Sequence, residues 1–304
     1  MDRRLMDTFL DGLIPCFSPC YAVSIITTGD GVIYERLSGN RKIEPEHASI
    51  CFDTSFDLDS LSTFFIVIAL LRTLDEGKIS LDATLSDFFP ACGNYPTVTV
   101  RQLATHTAGF APEIRLLEQV KDPPDALPFI FHASPLLEPG AAPFPSCFGF
   151  IVLGRVLETI WKKPLDEVMV SLVTEPLGMR HTWYNPKKHG ETMFAETVDE
   201  DGCFRDGVVN DVNARFLGGV SGNAGLFSTL EDMECFVVGI LRPGFLAPSS
   251  VSLLERLGSV WVGRTGVSLT LDYGSGKGAL LLANRMHLSD DDEVSRHFAS
   301  LAFS

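Results

Sequence analysis

Basic residues are scarce in this sequence: 24 Lys and Arg stand against 39 Asp and Glu among 304 residues, a formal net charge of −15. No run of Lys or Arg is dense enough to neutralise a phosphate backbone, so no nucleic-acid partner is expected. Long apolar runs are missing as well. The longest, Phe64–Leu71, falls far short of the roughly 20 residues that cross a bilayer, and no membrane partner is expected. Between Met1 and Leu13, the charges of Asp2, Arg3, Arg4, Asp7 and Asp11 break up any signal-peptide core. That stretch reads as an amphipathic helix, and the expected location is cytoplasmic. The seven cysteines (Cys16, Cys20, Cys51, Cys92, Cys147, Cys203, Cys235) show no C-x-x-C pair, which argues against a zinc site and for small buried side chains in a reducing compartment. No metal and no cofactor are expected.

What is present is a chain of ordinary globular composition, 45% hydrophobic and 21% charged, long enough to bury a real core. Tyr21 to Thr28 and Gly31 to Ser38 are rich in β-branched and aromatic residues around Gly29-Asp30-Gly31, the pattern of an antiparallel hairpin. From Ser60 to Glu76 runs an apolar stretch of helical length that stops at Gly77, where a left-handed cap suits glycine. Thr99 with Gln102, and Ser228 with Glu231, have capping-box spacing for helices reaching Thr105 and Leu241. Phe148 to Trp161 and Leu165 to Val173 read as two helices separated by Lys162-Lys163-Pro164. A helix from Pro248 to Leu257 precedes strands over Val267–Asp272 and Gly278–Ala283, and Asp291–Phe303 closes the pattern with an amphipathic helix. Strands at both ends with helices between them predict an α+β fold: a sheet built from residues 1–56 and 245–304, and a mainly helical part over 57–244.

Several segments match one known family in order. They are Phe56-Asp57-Leu58-Asp59-Ser60-Leu61, Asp75 to Asp82, Thr99 to Gly109, Pro139-Gly140, Pro176-Leu177-Gly178-Met179, Val220 to Ser228, and Leu281 to Arg285. In this order the chain, from about Ala22 to His287, resembles the serine hydrolases that include class C β-lactamases, penicillin-binding carboxypeptidases and related esterases. The resemblance implies a β-lactamase/transpeptidase-like fold: an antiparallel sheet flanked by helices, with an inserted helical lobe, in one domain over 1–304. It also implies acyl transfer by a serine at a helix start, with a small acyl, amide or peptide-like ligand as its partner. The oligomeric state stays open.

The chemistry of that family departs from this chain at identifiable positions. Its S-x-x-K motif places a lysine one turn after the serine, on the same helix face, to take the serine proton. Here the tetrad is Ser60-Leu61-Ser62-Thr63, so the nucleophile position is kept and Thr63 replaces the lysine. The family's Y-x-N tyrosine falls at Pro145-Ser146-Cys147, and a proline side chain carries no proton to relay. Two registers are open for the third motif, K-T-G on an edge strand, whose backbone completes the oxyanion hole in the family. Either Trp261-Val262-Gly263 stands there, or Arg264-Thr265-Gly266 does and keeps a cation and a hydroxyl.

Loss of a positioned acid–base group costs about 10²- to 10⁴-fold in rate, which points to a catalytically impaired homologue. A weak esterase or amidase using Ser60 with another base, and a structural module with a filled cleft, are the alternatives. Other motifs read as scaffold. Gly274-Ser275-Gly276-Lys277-Gly278 lacks the hydroxyl after the lysine of a phosphate loop and reads as a hairpin turn. His106, the glycines of 218–225, Asp211 and Asn213 read as loop braces, and Asp290–Glu293 as a solvated charge run at the start of a helix.

Overall fold

A computed structural model describes residues 1–16, 18–111, 114–199, 202–284 and 293–304. Arg285, His287 and the acidic run Asp290 to Asp292 lie outside the described residues. The chain forms two compact units. The first comprises Met1–Leu61, Thr174–Asn210 and Leu226–Ser304, and the second Ser62–Val173 and Asp211–Gly225.

All named strands fall in the first unit. In chain order they are β1 (Cys20–Thr27), β2 (Gly31–Lys42), β3 (Ala48–Ser49), β4 (Phe56–Asp57), β5 (Trp183–Tyr184), β6 (Thr197–Val198), β7 (Phe204–Arg205), β8 (Leu226–Ser228), β9 (Val260–Val262), β10 (Ser268–Asp272) and β11 (Lys277–Ala283). Among the described residues the main sheet has the order β3-β2-β1-β11-β10-β9, and β4-β8-β5 and β6-β7 make two small sheets. The expected hairpin forms: β1 and β2 pair antiparallel, with Ser24 opposite Glu35. The two ends of the chain meet where Tyr21 pairs with Ala283 and Thr27 with Lys277.

β1 is buried over seven of its eight residues because both sheet faces are covered, which explains its continuous apolar sequence. On one face Tyr21, Val23, Ile25, Ala279 and Leu281 pack with Met6 and Leu10 of the helix Arg3–Asp11 and with Phe298 and Ala302 of the helix Glu293–Phe303. On the other face lies the helix Leu230–Leu241, so close that a Cβ on Gly278 would stand 2.4 Å from Val237. Its N-cap is Thr229, whose hydroxyl accepts from the Asp232 N–H. The anticipated cap at Ser228 is off by one residue, because Ser228 closes β8 opposite Phe56.

The second unit is helical. Ser62–Asp75 buries ten residues on nearly all sides, each large apolar one contributing roughly 1.5–3 kcal/mol. The 3₁₀ turn Asp59–Leu61 precedes it, so the stretch that reads as one helix from Ser60 is a tight turn followed by a regular helix. Beside it lie the helices Cys147–Trp161 and Leu165–Met169, the latter continuing as a wider π-type turn over Val170–Thr174. Lys162 ends the first of these in the left-handed conformation. The Trp161 indole N–H donates to Thr73 Oγ1 at 3.0 Å, tying two of these helices together. The capping box at Thr99 and Gln102 is formed, and the helix Val100–Ala104 follows it.

Candidate active site

In the first unit the sequence Phe56-Asp57-Leu58-Asp59-Ser60-Leu61 leaves β4 and enters a 3₁₀ turn. Its backbone is held by two buried carboxylates. Asp57 accepts the Asp59 N–H at 2.9 Å on one oxygen and the Asn210 N–H at 2.7 Å on the other. Asp59 takes up φ +46°, a left-handed conformation uncommon outside glycine, asparagine and aspartate. Its carboxylate accepts the backbone N–H of Arg264. Ser60 follows directly and is half-buried.

Arg264 belongs to the turn joining β9 to β10. The Gly263 N–H donates to Val267 O at 2.8 Å and the Gly266 N–H to Gly263 O at 3.1 Å. This turn touches the Ser60 turn through Gly263: a Cβ there would stand 2.7 Å from Leu58 O and 3.3 Å from the Asp59 Cβ. Only hydrogen fits. Thr265, 3% exposed, points inward and donates its hydroxyl to Asp57 O at 2.9 Å. The strand carries Trp261, half-buried and paired with Leu269, and Val262, paired with Ser268. Arg264 stands in the turn with its side chain exposed. Of the two triplets named from the sequence, Trp261-Val262-Gly263 therefore runs along the edge strand, and Arg264-Thr265-Gly266 makes the bend after it.

The second unit holds the remaining candidates. Thr63 is half-buried in the first turn of the helix Ser62–Asp75, beside the wholly buried Ser62. Pro145 is exposed. Ser146 is the N-cap of the helix Cys147–Trp161: its hydroxyl accepts the Phe148 N–H at 3.3 Å and donates to Ala111 O at 2.7 Å. The Ser146 N–H in turn meets His106 Nδ1 at 3.4 Å. His106 is held at φ +56° with its ring 4.9 Å from that of Phe150, and burial lowers its pKa below the ordinary histidine value. Cys147 is half-buried in the first turn of the helix. Asp211 caps the helix Val212–Phe216, and Asn213 accepts the Leu116 N–H at 2.8 Å and donates to Ile114 O at 3.0 Å. No group of His, Cys, Asp and Glu among the described residues could hold a metal ion. No helix among them is long and apolar enough to cross a membrane.

The sequence reading assigned no role to Asp57 or Asp59. Their signal was available: two carboxylates flanking one leucine, just before a helix whose other residues are almost all apolar, must be either solvated or supplied with donors.

A serine turn leading into a buried helix, set against the edge strand of an antiparallel sheet, places the chain among serine-hydrolase-like α+β proteins. Residues 18–277 match the β-lactamase family model, and the chain belongs to that family. It is 28% identical over 226 residues to a putative D-alanyl-D-alanine carboxypeptidase of Salmonella paratyphi A, the match covering 63% of this chain and 52% of the relative. The chain thus spans about half the length of the curated relatives it matches. In fold it is similar to EstCE1, a hydrolase with promiscuous acyltransferase activity, with a TM-score of 0.83 at 20% identity over 99% of this chain and 98% of that one. It is also similar to a class C β-lactamase from Rhodobacter sphaeroides, with a TM-score of 0.78 at 17% identity over 98% and 97% of the two chains. These likenesses establish the β-lactamase/transpeptidase-like fold.

Proposed function

We propose that this protein is a catalytically impaired serine-hydrolase homologue that binds a small acyl, amide or peptide-like ligand, without nucleic acid or membrane as partner. One observation carries the reading: Thr63 stands where the family has the lysine of S-x-x-K. A hydroxyl cannot take a serine proton near neutral pH as an amine can, and a serine is a weak nucleophile until a base activates it. Pro145 at the tyrosine position removes the group that would return that proton to a leaving group. Trp261-Val262-Gly263 on the edge strand supports the same reading, since it offers neither the cation nor the hydroxyl of K-T-G. The carboxypeptidase description of the relatives supports a peptide-like ligand. The free thiols among the described residues, Cys20 and Cys92 buried, Cys51, Cys147 and Cys235 half-buried and Cys203 exposed, support a reducing, cytoplasmic setting.

The test is covalent labelling with a fluorophosphonate and with a fluorescent penicillin, followed by intact mass. The expected result is no modification of Ser60, and stoichiometric modification would overturn the reading. Replacing Thr63→Lys is expected to raise the labelling rate by about 10²-fold or more.

A further inference from the structure

Acyl transfer needs more than a nucleophile and a base, because negative charge that develops on the acyl oxygen has to meet backbone N–H groups already aimed at it. In the family that this chain belongs to, the edge strand beside the serine supplies such a donor. Here the end of β9 lies against the Ser60 turn, so close that a Cβ on Gly263 would stand 2.7 Å from Leu58 O and 3.3 Å from the Asp59 Cβ. The next peptide N–H, that of Arg264, is donated to the Asp59 carboxylate. Asp59 is one residue from Ser60, so their Cα atoms are about 3.8 Å apart.

We propose that Asp59 is an internal anion that occupies the backbone donor at the end of β9 and so closes the Ser60 turn to acyl substrates. The inference rests on the reading of Ser60 as the family's nucleophile position, and adds a second block independent of the missing lysine. Three features of the turn fit this role. The left-handed φ of Asp59 is a conformation that costs free energy in most residues and persists only where its surroundings fix it. The surroundings do so through Asp57, whose oxygens hold the Asp59 and Asn210 N–H groups, and through the Thr265 hydroxyl on Asp57 O. Lastly, a carboxylate accepting a backbone N–H makes a charge-assisted hydrogen bond, stronger than one to a neutral acyl oxygen. A substrate would have to displace an acceptor that is tethered in place and better charged.

The test compares Thr63→Lys alone with Thr63→Lys plus Asp59→Gly, glycine being the residue best suited to the left-handed backbone there. With a fluorophosphonate, the Ser60 oxygen attacks phosphorus, the P–F bond breaks, fluoride leaves and the hydroxyl proton passes to the amine introduced at position 63. The double variant is expected to be labelled about 10²-fold faster than the single one, the usual worth of one such donor. Equal rates in the two variants, including no labelling of either, overturn the proposal. An independent readout is the Arg264 amide proton resonance, which is expected to move upfield in Asp59→Gly as the charged acceptor is lost. It should stay near its original place in Asp59→Asn, which keeps an oxygen there, and this second variant also controls for folding. An unchanged resonance in Asp59→Gly overturns the contact. Should the unaltered chain itself be labelled stoichiometrically, the proposal of impaired function fails. The comparison between the two variants still decides whether Asp59 blocks the donor.

Discussion

Two serines of this chain stand at the mouths of buried helices, Ser60 ahead of Ser62–Asp75 and Ser146 ahead of Cys147–Trp161, and they sit in opposite local settings. Ser146 spends its hydroxyl on structure, capping its own helix and bonding Ala111 O, with a neutral imidazole beside its backbone. Around Ser60 the neighbouring carboxylates fasten the turn: Asp57 and Asp59 satisfy backbone donors from three chain segments.

The contrast can be sharpened by removing each fastening in turn. Asp57→Ala should have the largest effect, since it strands the buried N–H groups of Asp59 and Asn210 and costs about 3–5 kcal/mol, read as a drop in the urea unfolding midpoint. Gly263→Ala forces a methyl to within 2.7 Å of Leu58 O. The expected cost is about 1–3 kcal/mol, with shifted backbone resonances confined to the Ser60 and Arg264 turns. Ser146→Ala removes an N-cap and should cost about 1 kcal/mol, with Ser146→Asp recovering most of it; a loss as large as that of Asp57→Ala would break the comparison. The smallest effect concerns pH. His106 has its pKa lowered by burial, so the folded state keeps it neutral while the unfolded chain binds a proton as pH falls through about 6.5. Stability contributed at the Ser146 corner is therefore present above that pH and is lost on acidification towards the lower folded value. His106→Asn, which tolerates the left-handed backbone, should flatten that part of the pH profile in thermal melts between pH 7.5 and 5.

Much of the architecture could be read from residue patterns, because the periodicities are strong where one environment covers a whole element. The β1 strand, the helix ending at Gly77 and the capped helix after Thr99 lie within a residue or two of expectation, while β2 runs past the expected Ser38 to Lys42. The errors fall at boundaries, where tertiary pairing overrides local capping: β8 claims Ser228 and leaves the cap to Thr229, and the carboxylate-held turn takes Ser60 out of its helix. At the site, Ser60, Thr63, Pro145 and Trp261 are singled out only by their spacing to known motifs. The Asp59–Arg264 contact is not singled out in that way, since it joins residues 205 apart in sequence and depends on a glycine having no side chain. No periodicity encodes such a contact.

The pairing of β1 with β11 has a consequence for how the molecule is made. Residues 20–27 are synthesised well before their partner on one side, which spans residues 277–283. Until that partner strand is synthesised, a mostly apolar eight-residue segment is paired only along the β2 edge, a state open to mispairing with other chains. Completion of the sheet thus waits for residues 277–283 and is dominated by distant contacts, so yield in the cell should depend on holding this nascent strand apart until its counterpart arrives.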